Sequence, residues 1–336
     1  MSSSPSAMFL MPDETGYRSF FTPPQLARLA ELTRLHPAII TRDNFPAHRA
    51  AAADCEVVLT SWSSPVELLT AGQFPKLKAV FYCAGSVKGF ASALSLRERG
   101  IVVVSARHAN SVMVARFCLA QILLGGKGYF RNTRDCRDHT LTVTGQCFKG
   151  RGAYQSKVAL LGLGMVAREL CRLLQATDWQ VLAVDPYLGE DEARRLNLRK
   201  VSLATAFREA VVVSNHLPNL PALRAVLNHD LFAAMPPGAT FINTGRGAQV
   251  NEAHLLQAAG ERPDLTFLLD VTDPEPPPAD SPLYRRPNVQ LSSHIAGVMN
   301  GELPMLGGLI VSELERYCAG RPLQWAENLE QLDRLG

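Results

Sequence analysis

The residues best suited to chemistry lie in the C-terminal half, each just past a short apolar run. His216 follows Val211-Val212-Val213, Arg246 follows Thr240–Asn243, Asp270 closes Leu265–Leu269, and His294 follows Val289–Leu291; Glu275 stands shortly beyond Asp270 among prolines. Taken singly, each fits a bland structural role: a surface turn, a solvated loop, a capped strand end. Together they form a chemical set. A guanidinium fork suits bidentate capture of a carboxylate. An imidazole near a carboxylate is held partly protonated, so it can give or take a proton near neutral pH. An anion clamp, an acid/base and a group that tunes it are what proton transfer at a bound organic acid requires.

The elements that must position this set are organised around Lys157–Asp185. Val158-Ala159-Leu160-Leu161 is the apolar run of a buried parallel strand. Gly162-Leu163-Gly164-Met165-Val166-Ala167 follows, then a helical pattern with Leu170, Leu173 and Leu174 on one face, then a second apolar run, Val181–Val184, ending at Asp185. Gly162 allows a tight turn, Gly164 lets backbone approach a pyrophosphate, and Ala167 keeps helix and strand close. The first-turn N–H groups face the phosphates. Asp185 accepts from ribose hydroxyls and repels a 2′-phosphate, and no arginine follows in Pro186-Tyr187-Leu188-Gly189. The reading is a Rossmann unit that prefers NAD to NADP.

Upstream, strands are expected at Met8–Met11, Ala38–Thr41, Val57–Thr60, Leu77–Tyr82 and Ile101–Ser105. Helices are expected after Pro23-Pro24, near 47–53, 66–71 and 91–99, and residues 1–7 read as a tail. Strand and helix alternate, which implies a parallel α/β sheet, yet no phosphate-binding turn occurs there. Residues 110–129 read as one long helix and 131–152 as a polar connecting arm. Further strands are expected at 211–213, 240–243, 265–269 and 289–291, and helices at 231–235, 252–259 and 307–319.

A chain of 336 residues accommodates two domains. Its 47% hydrophobic and 19% charged composition is that of an ordinary globular protein, and its net charge of +3 is too small and too scattered to imply nucleic acid. No apolar run reads as membrane-spanning, and Met1-Ser2-Ser3-Ser4-Pro5 does not resemble a secretory signal. Seven scattered cysteines without a C-x-x-C pair indicate neither a metal site nor a disulfide framework and point to a reduced, cytoplasmic protein.

The combination of Gly162–Ala167 with Asp185, Ile242-Asn243-Thr244-Gly245-Arg246-Gly247-Ala248, Leu269-Asp270-Val271 through Glu275-Pro276, and His294-Ile295-Ala296-Gly297 resembles the NAD-dependent D-isomer-specific 2-hydroxyacid dehydrogenases. The likeness runs through roughly residues 50 to 320. It implies two doubly wound α/β domains: a Rossmann cofactor-binding domain (113–303) inserted into a discontinuous flavodoxin-like substrate domain (1–112 plus 304–336). It implies Arg246, Glu275 and His294 as the catalytic trio. The NAD contacts it implies are Gly162, Gly164, Met165, Val166, Asp185, His216, Pro218, Thr244, Gly245, Arg246, Asp270, His294 and Gly297, with Asp270 on the nicotinamide amide. Gly85, Ser86 and Val87 would hold the substrate carboxylate with Arg246 in a cleft between the domains, and Asn110 would lie near the substrate. A homodimer through the cofactor domains, with the 131–152 arm contributing, also follows from the resemblance.

The chain departs from the commoner family pattern in several places. Gly245 stands where alanine is frequent, Asn251 where an aspartate often follows, Ser292-Ser293 where Thr-Pro is usual, and Arg116 where glutamate is typical. None of these removes a catalytic group. The same fold also serves as a non-catalytic NAD(H)-sensing binding protein and as a phosphite-type dehydrogenase. Neither is set aside by the trio alone, though Glu275 argues against a formate enzyme, where glutamine is characteristic. The principal expectation is hydride transfer between NAD(H) and C2 of a small D-2-hydroxy acid or 2-keto acid.

Overall fold

The computed structural model describes residues 4–91 and 95–334. The chain divides into two compact units. One comprises Met1–Asn110 with Val298–Leu335, the other Ser111–Gly297. The return to the first unit thus comes six residues before the expected 304. Its anchor is local: the Val298 N–H donates to Asn110 Oδ1 at 2.9 Å.

The first unit carries five parallel strands: β1 (Ser6–Leu10), β2 (Arg34–Ile40), β3 (Val57–Thr60), β4 (Ala79–Tyr82) and β5 (Val102–Ser105). Their order, β2-β1-β3-β4-β5, is the flavodoxin-like winding. The three central strands, β1, β3 and β4, are mostly apolar and almost wholly buried, as strands covered on both faces must be. The helix Leu303–Cys318 returns to pack on this unit, and Gly307 is required there, since a Cβ would lie 2.0 Å from the Phe20 carbonyl oxygen.

The second unit carries seven parallel strands: β6 (Lys157–Leu161), β7 (Gln180–Val184), β8 (Leu198–Lys200), β9 (Val212–Asn215), β10 (Thr240–Asn243), β11 (Thr266–Leu269) and β12 (Val289–Leu291). The order β12-β11-β10-β9-β6-β7-β8 is the Rossmann arrangement extended by one strand, with its switch point between β6 and β9. One line of register, Val184–Leu161–Asn215–Asn243–Leu269–Leu291, crosses six strands at their carboxyl ends. The loops that follow therefore leave from one edge of the sheet. Phe207, Phe232, Phe241 and Phe267 pack edge-on and stacked beneath it, and all four are fully buried.

Several expectations need correction. The tail expected at 1–7 ends sooner, because Ser6 and Ala7 belong to β1 and Ala7 pairs with Val57; residues 1–3 lie outside the described residues. The helix expected at 91–99 falls partly on 92–94, also outside them; Lys88–Ala91 is helical and 95–100 is turn. The stretch 66–71 forms only a single 3₁₀ turn, Val66–Leu68. The 131–152 arm holds two short helices, Tyr129–Asp135 and His139–Val143, the second capped by Asp138 accepting from Thr140 N. Neither is long enough to show periodicity in a polar sequence. The strand β8 and the helices Glu190–Arg195 and Leu203–Glu209 had no counterpart in the sequence reading. An edge strand reading Leu-Arg-Lys has no apolar run to reveal it. Finally, the helix Arg107–Lys127 is long and apolar enough to cross a membrane by length and composition. Its Ala115, Cys118 and Ile122 are fully buried and join Val158 and Leu160 in the second unit's core, the pattern of a core helix.

Candidate active site

The turn after β6 is built as the glycines predicted. Gly162 sits at φ +81, and a Cβ there would lie 2.8 Å from the His216 carbonyl oxygen, so only glycine fits. Gly164 caps the ten-residue helix Met165–Leu174, and a Cβ added to it would meet nothing within 4 Å. The helix has neither a side-chain cap nor an acidic residue in its first turn. The first-turn amides of Met165, Val166 and Ala167, which an α-helix leaves without internal acceptors, thus have no side-chain cap or acidic neighbour competing for them, which fits a pyrophosphate. Asp185, at the end of β7, accepts from Leu163 N and from Tyr187 N, both at 2.7 Å, one on each oxygen. Each oxygen keeps lone-pair capacity for a ribose hydroxyl. Arg168, unremarked in the sequence, feels the Asp185 charge but is engaged by Glu192 in an ion pair. These residues fit the adenosine and pyrophosphate of NAD.

The next loops leave from β9 and β10. His216 Nε2 lies 2.9 Å from Ser214 Oγ, and burial pushes its imidazole down to about 4. The Pro218 carbonyl accepts from Gln249 Nε2 at 2.9 Å. Thr244 Oγ1 meets the buried Cys118 thiol at 3.2 Å. Gly245 is followed by Arg246, whose Nη1 donates to the Gly245 carbonyl at 2.8 Å. Among the described residues Arg246 has no carboxylate partner, and it is exposed. Its remaining donors are open to an anion.

The third group follows β11 and β12. Asp270 is almost fully buried, at 3% exposure. Its carboxylate accepts from Ser292 Oγ at 2.6 Å, Ile295 N at 2.9 Å and Ala296 N at 3.0 Å, and its carbonyl accepts from His294 N at 2.9 Å. The structure therefore makes Asp270 the scaffold of the 292–296 loop, with Ser292 supplying a hydroxyl where the sequence had flagged a departure. His294 is held at φ +58, a left-handed conformation that a non-glycine residue adopts only when its surroundings enforce it. Its Nδ1 lies 2.7 Å from Glu275 Oε1, with the two side chains 50% and 40% exposed. A carboxylate only accepts, so Nδ1 carries the proton and Nε2 points away from Glu275, with no partner among the described residues. Gly297 ends this unit.

Residues expected on the substrate side belong to the first unit. Gly85, Ser86 and Val87 follow β4; Gly85 has open space at its Cβ position, Ser86 Oγ accepts from Lys88 N at 3.4 Å, and Val87 is buried. Asn110 is committed through Oδ1 to Val298 N. The sequence reading missed the buried amides Asn215 and Gln249, which touch the loops of His216 and Arg246. Asn215 closes β9, after the apolar run Val211–Val213, and Gln249 lies between Ala248 and Val250 in the loop after β10, a weak signal in each case.

Comparisons with known proteins bear on the family and the fold. Residues 119–296 match the model of the D-isomer specific 2-hydroxyacid dehydrogenase NAD binding domain. The chain is 30% identical over 245 residues to the (S)-sulfolactate dehydrogenase of Chromohalobacter salexigens, covering 73% of this chain and 78% of that one. It is 27% identical over 236 residues to the D-3-phosphoglycerate dehydrogenase of Archaeoglobus fulgidus, 70% of this chain but only 44% of that protein's length. In fold it is similar to the apo D-mandelate dehydrogenase of Rhodotorula graminis, with a TM-score of 0.78 and 21% identity over 97% of this chain and 98% of that one.

Proposed function

The chain belongs to the D-isomer specific 2-hydroxyacid dehydrogenase family, and from that premise we propose that it exchanges a hydride between NAD(H) and C2 of a small D-2-hydroxy acid or 2-keto acid. One observation carries the reading: Glu275 pins His294 through Nδ1 at 2.7 Å and leaves Nε2 without a partner among the described residues, on the same sheet edge as Arg246, whose guanidinium has no carboxylate partner among them.

When bound, the nicotinamide supplies or accepts the hydride. The chain's own residues do the rest. Arg246 grips the substrate carboxylate and orients C2, an assignment for which a forked cation is better suited than an ammonium. In reduction, the His294 Nε2–H gives its proton to the carbonyl oxygen; in oxidation, neutral Nε2 takes the hydroxyl proton. Glu275 sets the tautomer and faces the imidazolium when it forms. Holding the reacting groups in this geometry converts a bimolecular encounter into a positioned one. The reading assigns Gly85–Val87 to the substrate, and includes a homodimer and a cytoplasmic setting. Light scattering tests the dimer, and the seven unpaired cysteines support a reducing compartment.

The test is NADH oxidation at 340 nm with glyoxylate, hydroxypyruvate, pyruvate, phenylpyruvate and branched-chain 2-keto acids, with His294→Ala as control. Turnover that the variant loses supports the reading, and the ranking of acids describes the pocket. Tight NADH binding with no turnover on any acid overturns it.

A further inference from the structure

Asn215, Asn243 and Gln249 are 0%, 1% and 1% exposed, and their side-chain amides form one closed cluster. Asn215 Nδ2 donates to Asn243 Oδ1 at 2.9 Å and to Gln249 Oε1 at 2.6 Å, while Asn215 Oδ1 accepts from Leu217 N at 3.2 Å. Gln249 Nε2 donates to the carbonyls of Leu217 and Pro218 at 2.7 and 2.9 Å. On the other side, Gln249 Oε1 accepts the Arg246 N–H at 3.2 Å, Asn243 Oδ1 accepts the Gly245 N–H at 3.1 Å, and Asn243 Nδ2 donates to the Arg246 carbonyl at 3.3 Å. Both amide hydrogens of Asn215 and of Gln249 are therefore used, and both backbone polar groups of Arg246 are held by amide side chains.

Gly245 belongs to the same device. A Cβ at Gly245 would lie 2.8 Å from Gln249 Oε1 and 2.9 Å from Asn215 Nδ2. Those two atoms are side-chain ends, but each is tied by at least two hydrogen bonds and cannot yield without orphaning a buried partner. The departure from alanine at 245 and the two buried amides are thus one structural fact.

We propose that Gln249, with Asn215, is a positioning residue for Arg246 and for the 216–218 loop, coupling the substrate-anion clamp to the cofactor side of the site. The assignment to a clamp rests on the dehydrogenase reading; the positioning itself does not. A fully satisfied buried network in a low-dielectric interior specifies one geometry. A misplacement of about 1 Å at a binding group costs on the order of 10²-fold in rate.

The test replaces Gln249 by methionine, which keeps the volume and removes both donor and acceptor. Hydrogen exchange of a peptide containing Arg246 is measured by mass spectrometry, with NADH affinity by fluorescence and KM and kcat for the best 2-keto acid. The expected result is exchange at Arg246 faster by about tenfold or more, a keto-acid KM raised by a similar factor, weaker NADH binding, and a pH profile that keeps its shape because His294 is untouched. Gly245→Ala, which leaves Gln249 in place but intrudes on both amides, should act in the same direction, and the two changes combined should cost less than the product of their separate effects. Unchanged exchange and KM in Gln249→Met overturn the proposal; should that variant fail to fold, the same result in Gly245→Ala overturns it. If the unmodified protein turns over no 2-keto acid, the dehydrogenase reading fails, while faster Arg246 exchange in the variants still upholds the positioning.

Discussion

His216 and His294 belong to the same unit and both follow a parallel strand, yet their surroundings oppose each other. His216 is paired with a hydroxyl, Ser214 Oγ, and burial holds its imidazole down to about 4. His294 is half exposed, paired with the Glu275 carboxylate and held in a left-handed backbone by the Asp270 carbonyl. A desolvated imidazole stays neutral through neutral pH and cannot cycle a proton there. His294 instead has a carboxylate on Nδ1 and, among the described residues, no partner on Nε2. The difference lies in partner and exposure rather than in residue type, and it is the basis on which the acid/base role is proposed for His294 rather than for His216.

The comparison breaks most visibly at His294. His294→Ala should lower turnover by about 10²–10⁴-fold while NADH still quenches the protein's fluorescence; a variant within tenfold of the parent would end the assignment. Arg246→Lys keeps the charge and loses the fork, so the KM for keto acid should rise by about 10–100-fold, read by steady-state kinetics. Gly162→Ala should lower stability by about 1–3 kcal/mol, seen as a fall in Tm, because the φ of +81 is strained for alanine and the added methyl strikes the His216 carbonyl. His216→Gln should leave turnover within a few-fold of the parent. Its sharper signature is in stability against pH. The folded imidazole titrates near 4 and the unfolded one near its ordinary value of about 6.5, so below 6.5 the unfolded chain binds the additional proton. His216 therefore contributes falling stability as pH drops from 6.5 towards 4, and urea melts of His216→Gln across that window should lose this slope.

What was readable before any coordinates was the part governed by local pattern. The expected strands at β3, β10 and β12 coincide with the observed ones because each is a short segment rich in β-branched or other apolar residues and followed by a polar one. Gly162 was legible because a tight turn at positive φ excludes other residues. The short polar pieces were not: β8, and the two helices between Tyr129 and Val143, are stabilised by their neighbours rather than by their own periodicity.

The sequence by itself determined which residues could do chemistry: His216, Arg246, Asp270 and His294 each just past a strand, and Glu275 on the loop after Asp270; the choice of Arg246, Glu275 and His294 among them came from the resemblance to the family. Only the tertiary structure decided how they are held. The Glu275–His294 contact, the three donors on Asp270 and the closure of Asn215, Asn243 and Gln249 all join residues distant in sequence. Hydrogen-bond partnership across strands depends on sheet order and register, and those are set by burial of the whole sheet rather than by any one segment.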